Sequence, residues 1–284
     1  MCMSGENFDA LLPADMARRA ELLGVRKAEA PFVRFFALSL LAGAFISLGA
    51  MFATTMATGG SSLPYGVNRL LTGFVFCLGL ILVVIGGAEL FTGNNLIVMA
   101  WANKKIKTSA LLRSWLIAYF GNFIGALGTV ALVYLSGQYL FGGETKIGFT
   151  ALSIAASKAG LDPVRAFFLG LLCNALVCLA VWMGYSARTT IDKIATIIFP
   201  ITGFVAMGFE HSIANMYFIP LGLAIKFFDA PFAEQFVQAT SISLDKLTVM
   251  NFFVNNLIPV TLGNIVGGTV FVAGIYWMIF LKEQ

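Results

Sequence analysis

The stretches GAELFTGN, at 87–94, and GFEHSIAN, at 208–215, decide the fold of this chain. They share glycine, glutamate and asparagine at one offset of 121 residues, and each interrupts an otherwise apolar run. Irregular backbone at membrane depth is tolerated only where protein or a water-filled cavity satisfies its polar groups. The stretches therefore predict two broken helices at equivalent positions, an arrangement that marks transport sites. The alternative is two kinked helices that only pack.

The apolar runs around these stretches predict six membrane spans. Of the 284 residues, 59% are hydrophobic and 11% are charged, with a mean hydropathy of +0.88, whereas about a quarter of the residues are charged in ordinary globular domains. About 20 apolar residues suffice for a helix to cross the hydrocarbon core. The predicted spans are Phe32 to Thr54, Leu70 to Trp101, Leu111 to Leu135, Val164 to Ser186, Ile194 to Phe227 and Phe252 to Leu281.

Two further matches indicate an internal repeat. Residues 34–48 align with 165–179 at an offset of 131, and GNFIG at 121–125 aligns with GNIVG at 263–267 at an offset of 142. A unit of three spans ends on the opposite side of the membrane, so its second copy runs inverted. We predict an all-α membrane protein with two inverted three-helix repeats, at about 32–136 and about 164–281, in a six-span channel domain at 32–284. The GxxxG spacings predict close helix approach.

The distribution of basic residues predicts the orientation. Twelve lysine and arginine residues fall on the side of both termini and six on the other, so the positive-inside rule places both termini in the cytoplasm. Within residues 1–31, apolar positions such as Leu11, Met16 and Leu23 alternate with charges, which predicts a cytoplasmic amphipathic helix. This helix could lie on the membrane surface, contact a neighbouring subunit or bind a regulatory partner.

His211 is the leading candidate for a functional group. It is the single histidine, it lies in the second interruption, and a free imidazole changes charge near neutral pH. Ionisable groups inside spans are costly and mark functional sites, although a buried structural histidine is the alternative. Helix halves that begin at the breaks present free N–H groups, which favours a small anion.

The other polar residues of the breaks are expected to support the backbone. The carboxylates should accept hydrogen bonds from amides that the breaks release. The asparagines of GNFIG and GNIVG could either face a pore or bind the unwound backbone. The expected supporting residues are Glu89, Glu210, Asn94, Asn215, Asn122 and Asn264. Phe76 and Leu80 are one helical turn apart and could narrow a channel, with lipid or core packing as the alternative.

The sequence offers little for other classes of function. It has one histidine, four cysteines without CxxC spacing, and neither HExxH nor GxSxG, so we expect no enzyme, metal site or cofactor. The interruptions lack the Asn-Pro-Ala signature of water and neutral-solute channels.

Along essentially its whole length the sequence resembles the formate/nitrite transporter family, particularly its formate channel branch. The resemblance rests on FDALLPADMA (8–17), GAELFTGN, YFGNFIGA (119–126), NALVCLAVWM (174–183), GFEHSIANM and LTVMNFFVNNLIPVTLGNIVGG (247–268). It implies an aquaporin-like homopentamer in the bacterial inner membrane that conducts formate or similar small monovalent anions, with proton transfer as an open question. Nitrite and hydrosulfide are the alternative substrates.

The resemblance also implies roles for particular residues. His211 would be the central pore histidine with Thr92 beside it, in a flexible loop with Leu90 and Phe91. Phe76 and Phe204 would form a periplasmic constriction, and Leu80 and Leu90 a cytoplasmic one. Lys158 and Asn174 would guide anions from outside, although a solvated loop lysine is the ordinary explanation of Lys158. Gly93 departs from the serine that is common in related formate channels.

Overall fold

The computed structural model describes residues 10–143 and 146–282, without the side chain of Ser61. Every regular element in this part of the chain is helical. Phe8 and Asp9, which begin the first motif of the resemblance, lie outside it. The helices are α1 (Pro13–Ala28), α2 (Phe32–Ala57), α3 (Tyr65–Gly86), α4 (Val98–Ala102), α5 (Thr108–Leu135), α6 (Ile147–Ala159), α7 (Pro163–Ser186), α8 (Thr190–Ala206), α9 (Ser212–Phe228), α10 (Ala230–Thr240) and α11 (Val249–Phe280).

Among the described residues, five helices are long and apolar enough to cross a membrane, namely α2, α3, α5, α7 and α11. The count reaches six if α9 and α10, which are bent by 108°, form one broken span. The predicted second span is interrupted between α3 and a 3-10 turn at Gly93–Ile97, which leads into α4. The predicted fifth span is divided between α8 and α9. The sequence did not predict α6, which lies between α5 and α7, or α10, which lies between α9 and α11.

Local sequence sets several of the helix starts. The Asp162 side chain accepts hydrogen bonds from the amides of Val164 and Arg165 and caps α7, whose first residue is proline. Thr189 and Asp192 form a reciprocal capping box at the start of α8. These caps satisfy amides that have no partner within the helix, the first in the turn between α6 and α7 and the second in the turn between α7 and α8. In α11, wider π turns at Phe252–Leu257 and Thr269–Gly274 interrupt the regular helix.

Glycines allow α5 to approach α2 closely and α11 to approach α7 closely, as the GxxxG spacing predicts. A Cβ atom at Gly125 of α5 would overlap the carbonyl oxygen of Leu40 in α2. A Cβ atom at Gly267 of α11 would overlap the carbonyl oxygen of Leu171 in α7 in the same way. Backbone contact of this kind is how small residues drive helix association where lipid removes the hydrophobic driving force.

We expect Gly125→Ala and Gly267→Ala each to lower the free energy of unfolding by about 1–3 kcal/mol, because the added methyl group forces two backbones apart. Gly128→Ala is the matched control on α5, since its Cβ would meet nothing within 4 Å. Thermal unfolding of the purified protein in detergent measures the change. Equal melting temperatures for Gly125→Ala and Gly128→Ala would contradict the packing role.

Candidate functional site

Each break begins at a glycine with a left-handed backbone. Gly87 follows α3 with φ +73°, and Gly208 follows α8 with φ +77°. Side chains are strained in this conformation, so glycine permits the chain to leave the helix there. The freed amide of Glu89 donates to the carbonyl of Leu38 at 3.1 Å, and that of Glu210 donates to the carbonyl of Leu169 at 3.3 Å. Both breaks are thus bonded to the first helix of their own half.

Asn122 and Asn264 hold the two breaks through the same three hydrogen bonds. Asn122 accepts from the Phe91 amide at 2.9 Å and donates to the carbonyls of Ser39 and Glu89. Asn264 does the same for its own break, as it accepts from the Ser212 amide at 2.9 Å and donates to the carbonyls of Gly170 and Glu210. Both asparagines are fully buried. Of the two alternatives for these residues, the structure selects binding to the unwound backbone.

The glutamates do not accept the backbone amides that the sequence analysis assigned to them. The Glu89 carboxylate instead accepts from Lys27 Nζ at 2.8 Å and from the side-chain amide of Asn94, Nδ2, at 2.9 Å. The same Lys27 ammonium donates to Asn94 Oδ1, so the three side chains form a closed network. The expectation is therefore wrong in its donor, because Asn122 and the carbonyl of Leu38 already satisfy the amides that the break releases.

The second half has a similar network on the other side of the protein, although the described residues show no bond from its lysine to its asparagine. Glu210 accepts from Lys158 Nζ at 2.7 Å and from the side-chain amide of Asn215, Nδ2, at 2.7 Å. Asn256 adds a third donor at 3.1 Å and also binds the carbonyl of Lys158. The Lys158 and Glu210 side chains are only 17% and 6% exposed. Lys158 lies in helix α6, so the solvated loop lysine considered as an alternative is excluded.

His211 and Thr92 bring the two breaks together. Thr92 Oγ1 lies 2.9 Å from His211 Nε2, and both side chains are buried. His211 is also the N-cap of α9, where its Nδ1 accepts the amide of Ala214 at 3.1 Å. Because Nδ1 must keep its lone pair to accept, the neutral ring carries its proton on Nε2 and donates to Thr92 Oγ1. Protonation of Nδ1 would break the cap of α9.

Two cavities approach this centre from opposite faces. The His211 cavity, of about 350 Å³, is lined by residues that include Thr54, Arg69, Lys158, Glu210 and His211. The Lys27 cavity, of about 230 Å³, is lined by residues that include Lys27, Glu89, Gly93, Asn94 and Tyr185. Their linings share no residue. One opens near the end of α2 and the start of α3, and the other near the end of α7 and α1.

Apolar side chains separate the cavities. Phe76 and Phe204 line the His211 cavity, with ring centroids 5.6 Å apart in an edge-to-face contact. Leu80 and Leu90 line the Lys27 cavity. Since Phe76 and Leu80 lie one turn apart on α3, the cavities end about 6 Å from one another along that helix. Phe204 also stacks beside the His211 ring at 5.9 Å. The residues predicted for the two constrictions thus line the cavities on either side of this point on α3.

The His211 cavity carries the excess of positive charge. Arg69 and Lys158 line it together with one carboxylate, that of Glu210. The Arg69 guanidinium donates to the carbonyls of Val205 and Ala206, the last turn of α8, and so caps the negative end of that helix. The Lys27 cavity has one lysine and one glutamate in its lining. An anion is thus attracted more strongly from the side of the His211 cavity.

Three predicted pore residues line neither cavity, namely Thr92, which contacts His211, and Phe91 and Asn174. Phe91 is buried against Tyr119 and Trp115, with ring centroids 5.0 and 6.2 Å away. Asn174 is fully buried and donates to the carbonyls of Thr92 and Asn264 and to Asn95 Oδ1. This position differs from the expected one, in which Asn174 guides anions from outside. Its contacts instead join the first break to α11.

The structure has room for a larger side chain at Gly93. A Cβ atom there would meet only the Val181 side chain, at 3.5 Å, which is an ordinary contact. Gly93 lines the Lys27 cavity, so a serine at this position would fit without displacing the break.

Three residues at the site, Lys27, Arg69 and Asn256, were not predicted from the sequence. Lys27 and Arg69 were counted only as charges for orientation, and Asn256 was not considered. Extending the offset of 131 upstream of Arg34 pairs Lys27 with Lys158, so the repeat itself contained the signal. Asn256 was detectable as a polar side chain within an apolar span. No sequence pattern indicates that Arg69 caps α8. No cluster of potential metal ligands occurs within 10–143 and 146–282.

We expect Lys158→Met to lower the free energy of unfolding by about 3 kcal/mol, because it leaves the Glu210 carboxylate buried without its cation. The double variant Lys158→Met with Glu210→Gln should recover much of this loss, since no charge remains unpaired. Lys193→Met is the control, because Lys193 forms no ion pair among the described residues. Thermal unfolding of all variants in one detergent measures the effect. A double variant no more stable than Lys158→Met would contradict the pairing.

The chain is similar to known channels along most of its length. The model of the formate/nitrite transporter family matches residues 14–278. The chain is 46% identical to the formate channel FocA of Escherichia coli strain K12 over 99% of both chains, and 42% identical to the formate channel FocA of Haemophilus influenzae over 92% of both.

Two solved structures have similar folds. A pentameric formate channel with formate bound is 46% identical, with a TM-score of 0.80, and the match covers 88% of this chain and 98% of that one. An ion channel of the same family is 29% identical, with a TM-score of 0.78 over 93% and 98% of the two chains. These matches agree with the two broken helices and the aquaporin-like arrangement of the spans. The chain is a membrane protein that belongs to the formate/nitrite transporter family.

Proposed function

We propose that the chain is a channel for formate whose passage depends on pH through His211. One observation carries the proposal: the His211–Thr92 pair lies at an apolar barrier between two cavities on opposite faces. Formate is proposed as the substrate because two relatives that are named formate channels are 46% and 42% identical to this chain. Passage through such a pore requires no catalytic group or cofactor, which is why no enzymatic activity is proposed.

The first step is attraction of the anion into the His211 cavity. Arg69 and Lys158 give this cavity a net positive charge, and its apolar walls focus the field. Glu210 partly neutralises Lys158, so the anion is attracted without being bound tightly. Conduction requires this balance, because an anion that binds too strongly does not leave.

The second step is crossing of the barrier formed by Phe76, Phe204, Leu80 and Leu90. A bare carboxylate loses its hydration there, which is expensive in an apolar environment. His211 reduces this cost by transferring the hydrogen bond of its Nε2–H from Thr92 Oγ1 to the anion or, when protonated, by supplying a proton so that neutral formic acid crosses. The second route requires a change at the start of α9, because Nδ1 cannot carry a proton while it accepts the Ala214 amide.

We also propose a homopentamer in a bacterial inner membrane, with both termini in the cytoplasm. A pentameric formate channel has the same fold at 46% identity. Exposed apolar side chains on α5, α7 and α11, such as Leu132, Phe168 and Val270, suit contact with lipid and with neighbouring subunits. The bias of basic residues toward the terminal side supports the orientation. The Lys27 cavity would then open to the cytoplasm and the His211 cavity to the periplasm.

We expect His211→Asn to conduct formate with a flattened pH response between pH 5 and 8, because asparagine keeps a donor but does not titrate. His211→Phe has neither property, so its flux should fall about tenfold or more, consistent with loss of a hydrogen bond to a charged group. Formate flux into proteoliposomes, measured across this pH range, provides the test. Thr92→Val is the control that keeps the histidine. An unchanged pH response in His211→Asn would remove His211 from the mechanism.

Nitrite and hydrosulfide are tested in the same proteoliposomes by competition. Unlabelled formate should inhibit the flux of labelled formate at a lower concentration than nitrite or hydrosulfide does. Stronger competition by nitrite or hydrosulfide would assign the pore to that ion, and osmotic swelling without anion flux would indicate a water or neutral-solute channel.

We expect the pore of the double variant Leu80→Ala with Phe204→Ala to admit hydrated anions, because the two truncations remove side chains from both sides of the barrier. Chloride current across planar bilayers should rise severalfold relative to formate current. Leu152→Ala is the matched control, since Leu152 is buried and lines neither pore cavity. Unchanged selectivity in the double variant would show that the barrier lies elsewhere.

A further inference from the structure

A third charged cavity lies outside the pore, where the chain passes from α4 to α5. It has a volume of about 870 Å³ and shares no lining residue with the His211 cavity or the Lys27 cavity. Its lining consists of Trp101, Ala102, Lys104, Lys105, Ile106, Lys107, Thr108 and Trp277. We refer to it as the Trp101 cavity. The transport path does not use any of these residues.

The lysines of the Trp101 cavity are available to an external anion. Lys104, Lys105 and Lys107 are exposed, and none forms an ion pair with a carboxylate of the described chain. Lys104 adopts φ +58°, a left-handed conformation that turns the chain sharply between the two helices. Three ammonium groups within four residues therefore line one open cavity, and their mutual repulsion favours an anion among them.

The tryptophans identify the depth of the cavity in the membrane. Trp101 donates from Nε1 to Thr108 Oγ1 at 3.0 Å, so it connects the two ends of the turn, and its side chain remains 42% exposed. Trp277 of α11 donates to Asn103 Oδ1 at 3.5 Å and has Lys282 Nζ 6.0 Å from its ring centre. Tryptophan and lysine together are typical of the head-group layer, where the indole is half immersed.

An apolar stripe runs from this cavity along the outside of α5. Leu112, Leu116, Phe120 and Ile124 follow one another at a spacing of four and are between 49% and 57% exposed. Residues four apart lie on the same face of a helix. The stripe begins one turn beyond Thr108, where the N terminus of this 28-residue helix has no side-chain cap. A ligand in the Trp101 cavity would thus have its polar end on lysines and amides and its apolar end on the stripe.

We propose that the Trp101 cavity binds an anionic phospholipid, with the phosphate head group on the lysines and an acyl chain along the α5 stripe. Head group and stripe together distinguish this ligand from a soluble anion, which would use the lysines alone. Juxtamembrane lysines attract anionic lipids because the cytoplasmic leaflet carries negative charge. The positive end of α5 adds to this attraction at Thr108. The site rests on the membrane fold and is independent of what the pore conducts.

Native mass spectrometry of the purified assembly, titrated with phosphatidylglycerol or with phosphatidylcholine, tests this proposal. The triple variant Lys104→Gln, Lys105→Gln, Lys107→Gln should bind phosphatidylglycerol about tenfold or more weakly than the parent, because each lysine near an anionic head group contributes to binding. The matched control is the triple variant Arg34→Gln, Lys193→Gln, Lys246→Gln, which removes the same charge elsewhere. The control should bind like the parent, and the subunit stoichiometry in the same spectra reports whether each variant is assembled.

Two further readouts, together with the comparison of the triple variants, decide the outcome. Leu116→Gln places a polar group on the stripe. It should weaken the binding of phosphatidylglycerol but leave the binding of inorganic phosphate to the lysines unchanged. If inorganic phosphate at millimolar concentration displaces the lipid completely, the ligand is a soluble anion and the proposal is overturned. It is also overturned if the lysine triple variant binds phosphatidylglycerol like its control, in which case these lysines would remain available to an acidic soluble partner.

Discussion

The whole site depends on hydrogen bonds that satisfy broken backbone at membrane depth. Water is not present in the hydrocarbon layer to bind a freed amide or carbonyl, so every such group needs a partner from the protein. Asn122 and Asn264 each satisfy one amide and two carbonyls, and they do so from the third span of each half. Glycine contacts bring those spans close enough for the short amide side chains to reach. The broken helices therefore depend on the close packing of these spans.

The same logic extends to the short helices that precede each half. Lys27 at the end of α1 and Lys158 at the end of α6 occupy equivalent positions, at the offset of 131 that relates the first spans. Each ammonium binds the glutamate of its own break. The repeat unit thus comprises a short helix followed by three spans, which is more than the three spans that the apolar runs indicate. The N-terminal helix is consequently part of a pore cavity as well as a surface element.

The sequence predicted the parts of this architecture that depend on periodicity and on polar groups in apolar runs. The two breaks, the GxxxG contacts and the meeting of His211 with Thr92 follow from such signals, the last through resemblance to the family. The partners of Glu89 and Glu210 could not be predicted in the same way, because Lys27 and Lys158 lie in short helices whose docking depends on tertiary packing. Asn174 was misplaced for a related reason, since a buried amide satisfies whichever carbonyls the fold brings near it.

The two halves share a scaffold but differ in chemistry at the centre. At the offset of 121 that relates the breaks, His211 corresponds to Leu90. One half therefore contributes an apolar side chain to the barrier, and the other contributes a ring that can donate a hydrogen bond or titrate. The scaffold hydrogen bonds of Asn122 and Asn264 do not involve either side chain, so variation at this position leaves those bonds intact. Because His211 also caps α9 through Nδ1, its charge state is coupled to the start of that helix. The repeated scaffold thus provides a cavity toward each face, and under the proposed function the position of His211 determines how an anion crosses between them.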